Sequence, residues 1–494
     1  MIDIVAPHTG EHLGQVPTLS EKDLTKVVER ARTAFASWST LGVTGRVRIL
    51  TKVRDNLVAN RSHLIDKLIE ETGKVRGEAL TEVSMMLESF RYYLGLSPKA
   101  LADEEISPGL LKNKRARVVY HPRGVVGIIS PWNFPLDLSF GECIPALLAG
   151  NAVIVKPSEF TPFIVLEAQR LAIEAGLDPN LFQVVTGAGK TGAALVKQVD
   201  QITFTGSVKV GKMVAQAAAK RLIPCTLELG GKDPMIVLRD ADLDRAAAGA
   251  VWGAFFNSGQ MCMSVERVYV EDCIADRFVS KVVEATRSLR QGIDGQYSMD
   301  VGSMTRVAQL ETIDAHVSDA VDRGAKVLTG GQRKPGLRES FYEPTVLIGV
   351  DHSMLIMQEE SFGPVLPIMR VRNANEAIQL SNDSPYGLNS SVWSKDIAVA
   401  RRVARQMQAG SVCINDCVVS YGVPELPFGG VKESGLGRRH GVVGLRKYTI
   451  QQSIAEDRFG LAREPHWLPY NETALRLAEK AAALFAGFKS FLGR

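Results

Sequence analysis

Between residues 124 and 207 four short apolar runs recur, "GVVGIIS", "NAVIVKPS", "FQVVTG" and "QITFTGS", with helical stretches between them. None of the four alternates polar with apolar, so each reads as a strand buried on both faces. Such strands belong to parallel sheets covered by helices on either side. The intervening helices are expected at 138–149, 161–175 and 190–198, and another at 208–220. After residue 229 the pattern restarts. "PMIVL" (234–238), "RVYVE" (267–271), "PVLPIMRV" and "SSVWS" read as strands, with helices near 243–256, 274–289, 307–323 and 396–408. The expected fold class is therefore α/β, with two doubly wound sheets in separate domains. A chain of 494 residues needs more than one core in any case.

The flanking segments differ. Residues 21–98 carry helical periodicity, for example Leu64, Ile65, Leu68 and Ile69, ending at Ser97–Pro98. "RARVVYHP" (115–122) and residues 446–456 read as strands with no local partner. Near the C-terminus Leu477, Ala481, Leu484, Phe485, Phe488, Phe491 and Leu492 form one helical stripe. Lys480 and Lys489 flank it, with Glu479, Ser490 and Arg494 opposite. That pattern suits a helix docked on its own fold or on a second subunit, and equally a basic helix lying in a membrane surface.

A net charge of +4 over this length gives no concentrated basic face, so nucleic acid is not an expected partner. The six cysteines are irregularly spaced with no Cys-x-x-Cys. With neither a secretory leader nor a membrane-spanning apolar run in view, a reducing cytoplasm is expected, where a lone thiol stays free.

Several strand ends carry candidate chemistry. Cys262 follows the polar, turn-like Asn257-Ser258-Gly259-Gln260 and lies between Met261 and Met263. It reads either as packing or as a nucleophile. Glu228, in "LELGGKDP", stands before two glycines at a domain junction, where desolvation would raise its pKa toward that of a general base. Asn133, in "ISPWNFP", is held between rigid neighbours and suits an oxyanion donor, or is a turn asparagine. Lys156 and Glu159 end a buried strand, where nucleotides bind in open α/β sheets, or form a plain surface pair. Gly206 and Ser207 open a helix whose free N–H groups suit a pyrophosphate, although the G-x-G-x-x-G fingerprint is absent and Ser207 also fits a plain helix cap.

These motifs, in this order, resemble the aldehyde dehydrogenase superfamily from about residue 5 to 455. "PWNFP", "VKPSEFTP", "FTGSVKVG", "LELGGKDP", "NSGQMC", "EESFGPV", "YGLNSSVW" and "PFGGVKESGLGR" carry the resemblance. It implies two Rossmann-like domains plus a β-ribbon for oligomerisation. Residues 1–98 and 123–228 would bind NAD(P), 229–445 would be catalytic, 99–122 with 446–456 would form the ribbon, and 457–494 would be an extension. By the same resemblance Cys262 is the nucleophile, Glu228 the base and Asn133 the oxyanion donor. Lys156 and Glu159 hold the adenosine ribose, Gly206 and Ser207 approach the pyrophosphate, and Glu360 and Phe362 place the nicotinamide. Ser130, Trp132, Ser158, Gly189, Phe204, Val210 and Leu229 complete the cofactor cleft. No metal is implied, and the expected assembly is a homodimer or homotetramer.

Within that resemblance Glu228 favours hydrolysis to the acid over transfer to coenzyme A. Glu159 favours NAD by repelling a 2′-phosphate, while Lys156 and Lys209 leave NADP open. The expected tunnel residues are Asp137, Gly141, Met261, Met263, Tyr421 and Phe428, with Val423 and Leu426 at an apolar mouth. Gly141 replaces a bulky aromatic of some relatives, so a wide tunnel is expected. No arginine follows Asn133, which favours medium or long aliphatic, or aromatic, aldehydes over succinate semialdehyde. Two other classes fit less well. A cysteine hydrolase would need a histidine partner for Cys262, and a catalytically silent relative would not need its Cys262, Glu228 and Asn133 intact.

Overall fold

The computed structural model describes residues 1–109, 111–464 and 466–489, with side chains described as far as residue 483. It divides into two compact units, residues 1–102 with 120–450, and residues 103–119 with 451–494.

In the first unit the four runs become Val125–Ile129, Ala152–Lys156, Phe182–Val184 and Gln201–Thr205, joined by Cys225–Glu228. Their side chains are almost wholly buried, as runs without alternation require. Their order across the sheet is Cys225–Glu228, Gln201–Thr205, Val125–Ile129, Ala152–Lys156, Phe182–Val184, all parallel. The chain thus builds outward from Val125–Ile129 in both directions. The crevice where the winding reverses lies between Ile129 and Phe204, which face each other across two strands. Two strands of this sheet, Cys225–Glu228 and Gly435–Leu436, were not foreseen. Gly435–Leu436, far along the chain, pairs antiparallel with Leu227 and Glu228 at the sheet's edge.

The second sheet runs in the order Lys326–Thr329, Thr345–Ile348, Val365–Val371, Val265–Glu271, Asp233–Val237, Ser391–Trp393, Cys413–Ile414, parallel except at its first strand. The mixed α/β expectation holds for both sheets.

Four helices, Glu21–Thr40, Val43–Ala59, Arg61–Thr72 and Arg76–Ala100, precede the first sheet. The last runs past the expected stop with Pro98 inside it. Proline removes one intrahelical donor, and a break is not obligatory one turn from a helix end. The helix expected at 138–149 opens instead as a wide turn, Asp137–Gly141, before Glu142–Leu148. An N-terminal hairpin, Ile2–Val5 with His12–Val16, had no signal strong enough to predict. Glu71 holds the start of Phe163–Glu174 by accepting from the N–H groups of Phe163 (2.6 Å) and Ile164 (2.9 Å).

In the second unit the two strands lacking local partners find one another. Thr449–Asp457, Lys114–Pro122 and Glu104–Ile106 form a three-stranded sheet in that order. The helix Glu472–Lys489 exposes Leu477, while the stripe's Leu484, Phe485 and Phe488 side chains, and residues Phe491 and Leu492, lie outside the described residues. Among the described residues no helix is long and apolar enough to cross a membrane.

Candidate active site

The thiol is delivered by a strained turn. Helix Leu243–Phe255 ends, and the chain bends through Asn257 (φ 53°) and Ser258 (φ 54°), both left-handed. Each such residue costs about 1–2 kcal/mol. Buried partners offset that cost. The Asn257 N–H donates to Glu78 (2.6 Å), the Ser258 hydroxyl to the Gly302 carbonyl (2.9 Å), and the Thr305 N–H to the Gln260 side chain (2.8 Å). Gly259 is obligatory here, since a Cβ would lie 2.1 Å from the Gly363 carbonyl. The turn sets Cys262, half-buried, just ahead of the strand Val265–Glu271, while Met261 and Met263 are buried on either side. Burial, then the negative charges of Glu360, Asp233 and Glu228, push the thiol pKa up. By itself this site stores a thiol rather than a thiolate.

Asn133 arrives from the carboxyl edge of the first sheet. Its side-chain NH2 donates one hydrogen to the Gln260 carbonyl (2.9 Å), and among the described residues the other has no partner. Its own carbonyl accepts from Lys74 Nζ (2.9 Å) and from Asn257 Nδ2 (3.1 Å). Lys74 is completely buried in an ion pair with Glu82, whose Oε1 accepts from the N–H groups of Leu136 (2.8 Å) and Asp137 (3.3 Å). One buried pair therefore fixes the whole 133–137 segment.

Glu228 ends the strand Cys225–Glu228, and neither carboxylate oxygen has a hydrogen-bond partner among the described residues. Burial raises its pKa to about 8, with the Arg439 charge pulling the other way. Arg439 pairs with Glu142 (2.6 Å), which Lys447 and the Tyr448 hydroxyl also contact, and Glu142 is held down at about 2 by Arg439 and Lys447 against the opposing effect of burial.

Two hollows meet at the sulfur. One, of about 180 Å³, is lined by Trp132, Asn133, Gly206, Ser207, Glu228, Leu229, Gly230, Glu360 and Phe362, with Arg306 and Gln309 opposite. The other, of about 210 Å³, is walled by Phe134, Trp252, Phe256, Met261, Met263, Val418 and Tyr421, with Asp137 among them. Cys262 and Leu138 belong to both.

The first hollow has the features a dinucleotide needs. Ser207 caps helix Val208–Ala219, so the other N–H groups of its first turn face the crevice end. At Gly206 a Cβ would press on the Phe204 ring (2.7 Å), and at Gly230 on the Glu360 carboxylate (2.4 Å). The Ser130 hydroxyl is buried with no partner among the described residues. Trp132 and Phe362 stand edge to face, 5.4 Å apart. Lys156 and Glu159 form a 3.4 Å pair at the adjoining strand end, beside Ser158. Of the residues expected along the cofactor cleft, Ser130, Lys156, Ser158, Glu159, Gly189, Phe204 and Val210 are not among those lining this hollow. Gly189 starts the exposed end of helix Gly189–Val196, and Val210 is itself exposed.

Two expected tunnel residues, Gly141 and Phe428, are not among the walls of the apolar hollow. Gly141 lies behind Asp137, where a Cβ would meet Asp137 Oδ1 at 2.8 Å, so it does not widen the apolar hollow. Phe428 packs behind Tyr421, with ring centroids 4.9 Å apart, rather than in the wall.

The profile of the aldehyde dehydrogenase family matches residues 1–454. The chain belongs to this family. The Mycolicibacterium smegmatis protein named "Putative succinate-semialdehyde dehydrogenase [NADP(+)]" is 43% identical over 91% of this chain and 87% of its own length. The 4,4'-diapolycopene aldehyde oxidase of a Methylomonas species is 41% identical over 99% of this chain and 90% of its own. Among solved structures, the NAD-dependent aldehyde dehydrogenase of Sinorhizobium meliloti superposes with TM-score 0.90 at 36% identity, covering 94% of this chain and 93% of that one. Betaine aldehyde dehydrogenase of Staphylococcus aureus in complex with NAD+ gives TM-score 0.89 at 32% identity, with the same coverage.

Lys74, Glu78, Glu82, Glu142 and Arg439 went unnoticed in the sequence, because a charged residue on a helix or loop ordinarily means solvent. Their signal is structural. Replacing Lys74 by Met should strand Glu82 as an unpaired buried charge and lower unfolding stability by about 3–5 kcal/mol. Urea titration of the variant against the parent protein measures it, and a change below about 1 kcal/mol would contradict the pairing.

Proposed function

We propose that this protein oxidises an apolar aldehyde to its carboxylic acid with NAD(P), by covalent catalysis at Cys262. The observation that carries the reading is the meeting of a polar, glycine-lined hollow and an apolar hollow at Cys262. The residues of the first hollow fit NAD(P), as its glycine-lined walls and helix start indicate. When bound, NAD(P) supplies the hydride acceptor.

The chain's own residues do the rest. The Cys262 thiol gives up its proton to solvent water, and the resulting thiolate sulfur adds to the aldehyde carbon. The new oxyanion lies against the spare Asn133 Nδ2 hydrogen and the Cys262 N–H, donors of a kind worth about 3–4 kcal/mol in a transition state. Oxidation of that adduct leaves a thioester on Cys262. Glu228, near the sulfur and unpaired, takes a proton from water, which attacks the thioester carbon and releases the acid. The same carboxylate favours water over coenzyme A as acceptor.

For the substrate, the second hollow offers almost only carbon, and among the described residues no basic side chain lines it. Its one carboxyl, Asp137, accepts from the Tyr421 hydroxyl (2.6 Å), and burial raises its pKa to about 6. A substrate carboxylate would meet Asp137 instead of a cation, which counts against a dicarboxylic semialdehyde. The Methylomonas relative, named for an aldehyde of diapolycopene, matches along nearly the whole chain and supports the apolar reading. Succinate semialdehyde is the second reading, favoured by the name of the Mycolicibacterium relative. Glu159 favours NAD, and Lys156 at 3.4 Å keeps NADP in play.

In this reading residues 1–98 with 123–228 hold the cofactor and 229–445 carry the nucleophile. The ribbon strands, exposed along Ile450–Asp457, join subunits of a cytoplasmic homo-oligomer. Segment 473–494 is the candidate for contact with a lipid surface.

A panel of aldehydes with NAD and NADP tests the core reading by reduced-cofactor absorbance. Medium-chain and aromatic aldehydes should exceed succinate semialdehyde in kcat/KM, and the reverse order would overturn the substrate assignment. Cys262→Ser should abolish turnover. Glu228→Gln should keep a first burst of reduced cofactor while losing about 10²–10⁴ in steady turnover.

The pH dependence follows in sign from Glu228. Its carboxyl is protonated below a pKa of about 8, so the hydrolytic step should climb as pH rises through that value and level off above it. In Glu228→Gln that limb should vanish from the profile. Deleting 473–494 should reduce co-flotation with anionic vesicles, and an intact chain that does not float would remove the lipid contact.

A further inference from the structure

We propose that Glu266, paired with Lys232, is a positioning residue that holds the Glu360–Phe362 turn in register with Cys262 and so sets the affinity for NAD(P). The proposal rests on the reading of that turn as a wall of the cofactor hollow.

Glu266 lies four residues beyond Cys262 on the strand Val265–Glu271 and is buried. Its carboxylate collects three donors. Oε2 accepts from Lys232 Nζ (2.6 Å) and the Ser361 N–H (2.9 Å), and Oε1 from the Phe362 N–H (2.9 Å). Lys232 also donates to the Ser361 hydroxyl (3.2 Å), which His316 Nδ1 contacts at 3.0 Å. Lys232 follows Glu228 by four residues, and the intervening Gly231 donates its N–H to Glu360 Oε1 (3.0 Å). Three segments, bearing the base, the nucleophile and the cofactor wall, are thus tied at one buried ion pair.

The pair has a conformational task as well. Phe362 has φ 51°, a left-handed backbone that a residue with a side chain adopts only under constraint. Two consecutive N–H groups, those of Ser361 and Phe362, converge on one carboxylate, and only an acceptor with two oxygens can hold both together with the lysine. Released from it, the turn would relax toward ordinary φ, carrying the Phe362 ring away from Trp132 and Glu360 away from the hollow. A glutamine at this position offers one oxygen and one NH2, so it must set a donor against a donor.

The test uses the full chain and three proteins: the parent, Glu266→Gln, and Lys232→Met/Glu266→Gln, which leaves no unpaired charge. NAD+ and NADP+ dissociation constants are read from quenching of tryptophan fluorescence, and thermal stability from melting curves. Glu266→Gln should bind about 10- to 100-fold more weakly, the loss expected for a charge-assisted hydrogen bond. In the assay KM for the cofactor should rise more than kcat falls. The double variant should melt higher than Glu266→Gln yet stay weak for the cofactor, because the turn still lacks its two-oxygen acceptor. Unchanged affinity in Glu266→Gln, or affinity that returns with stability in the double variant, overturns the proposal. Should Glu266→Gln fail to fold, the uncharged double variant decides alone, and parental affinity there overturns it. A parent protein that binds neither dinucleotide would instead defeat the cofactor reading itself, and the two failures are distinct.

Discussion

Glu228 stands at the carboxyl edge of one parallel sheet and Cys262 at the amino edge of another, and most else in the fold follows from holding those two edges together. Only four residues, 229–232, separate Glu228 from the first strand of the second sheet. At Gly231 a Cβ would lie 2.4 Å from the Cys262 carbonyl, so the close approach of the edges depends on the absence of a side chain there. The late strand Gly435–Leu436 clips onto Glu228 and Leu227 from the other side. The junction is therefore a spliced seam, and its stiffness is what aligns carboxylate and thiol.

Buried ions do the aligning. Lys74–Glu82 fixes the backbone carrying Asn133, Lys232–Glu266 fixes the Glu360 turn, and Arg439 with Lys447 neutralises Glu142 behind Glu228. Such pairs add little net stability compared with apolar packing, but they allow few alternative geometries. Glu228 is the exception among these carboxylates. It is buried with no partner among the described residues, and its raised pKa is the direct result.

Much of this was legible in the sequence, for a physical reason. Strands buried on both faces leave unbroken apolar runs, so the ladder from Val125 to Thr205 and the strands at Asp233 and Val265 could be placed to within a few residues. Side chains at strand ends, such as Asn133, Glu228 and Cys262, inherit a meaning from that ladder. What escaped is what depends on distant partners: the N-terminal hairpin, the clip at Gly435, and lysines and glutamates that look solvated until the fold surrounds them. Gly141 and Phe428 stand outside the apolar hollow's walls for a related reason. Sequence proximity to a tunnel wall says nothing about which neighbour stands in front, and here Asp137 and Tyr421 do.

The two hollows share no wall except Cys262 and Leu138. Cys262 is thus common to both hollows, while apart from Leu138 every other wall belongs to one of them alone. Exchange of Trp252, Phe256 or Val418 reshapes one guest's lodging without touching the other's. A substitution in one set of walls therefore leaves the other set as it was, and Cys262 and Leu138 are the two places where a change is felt on both sides.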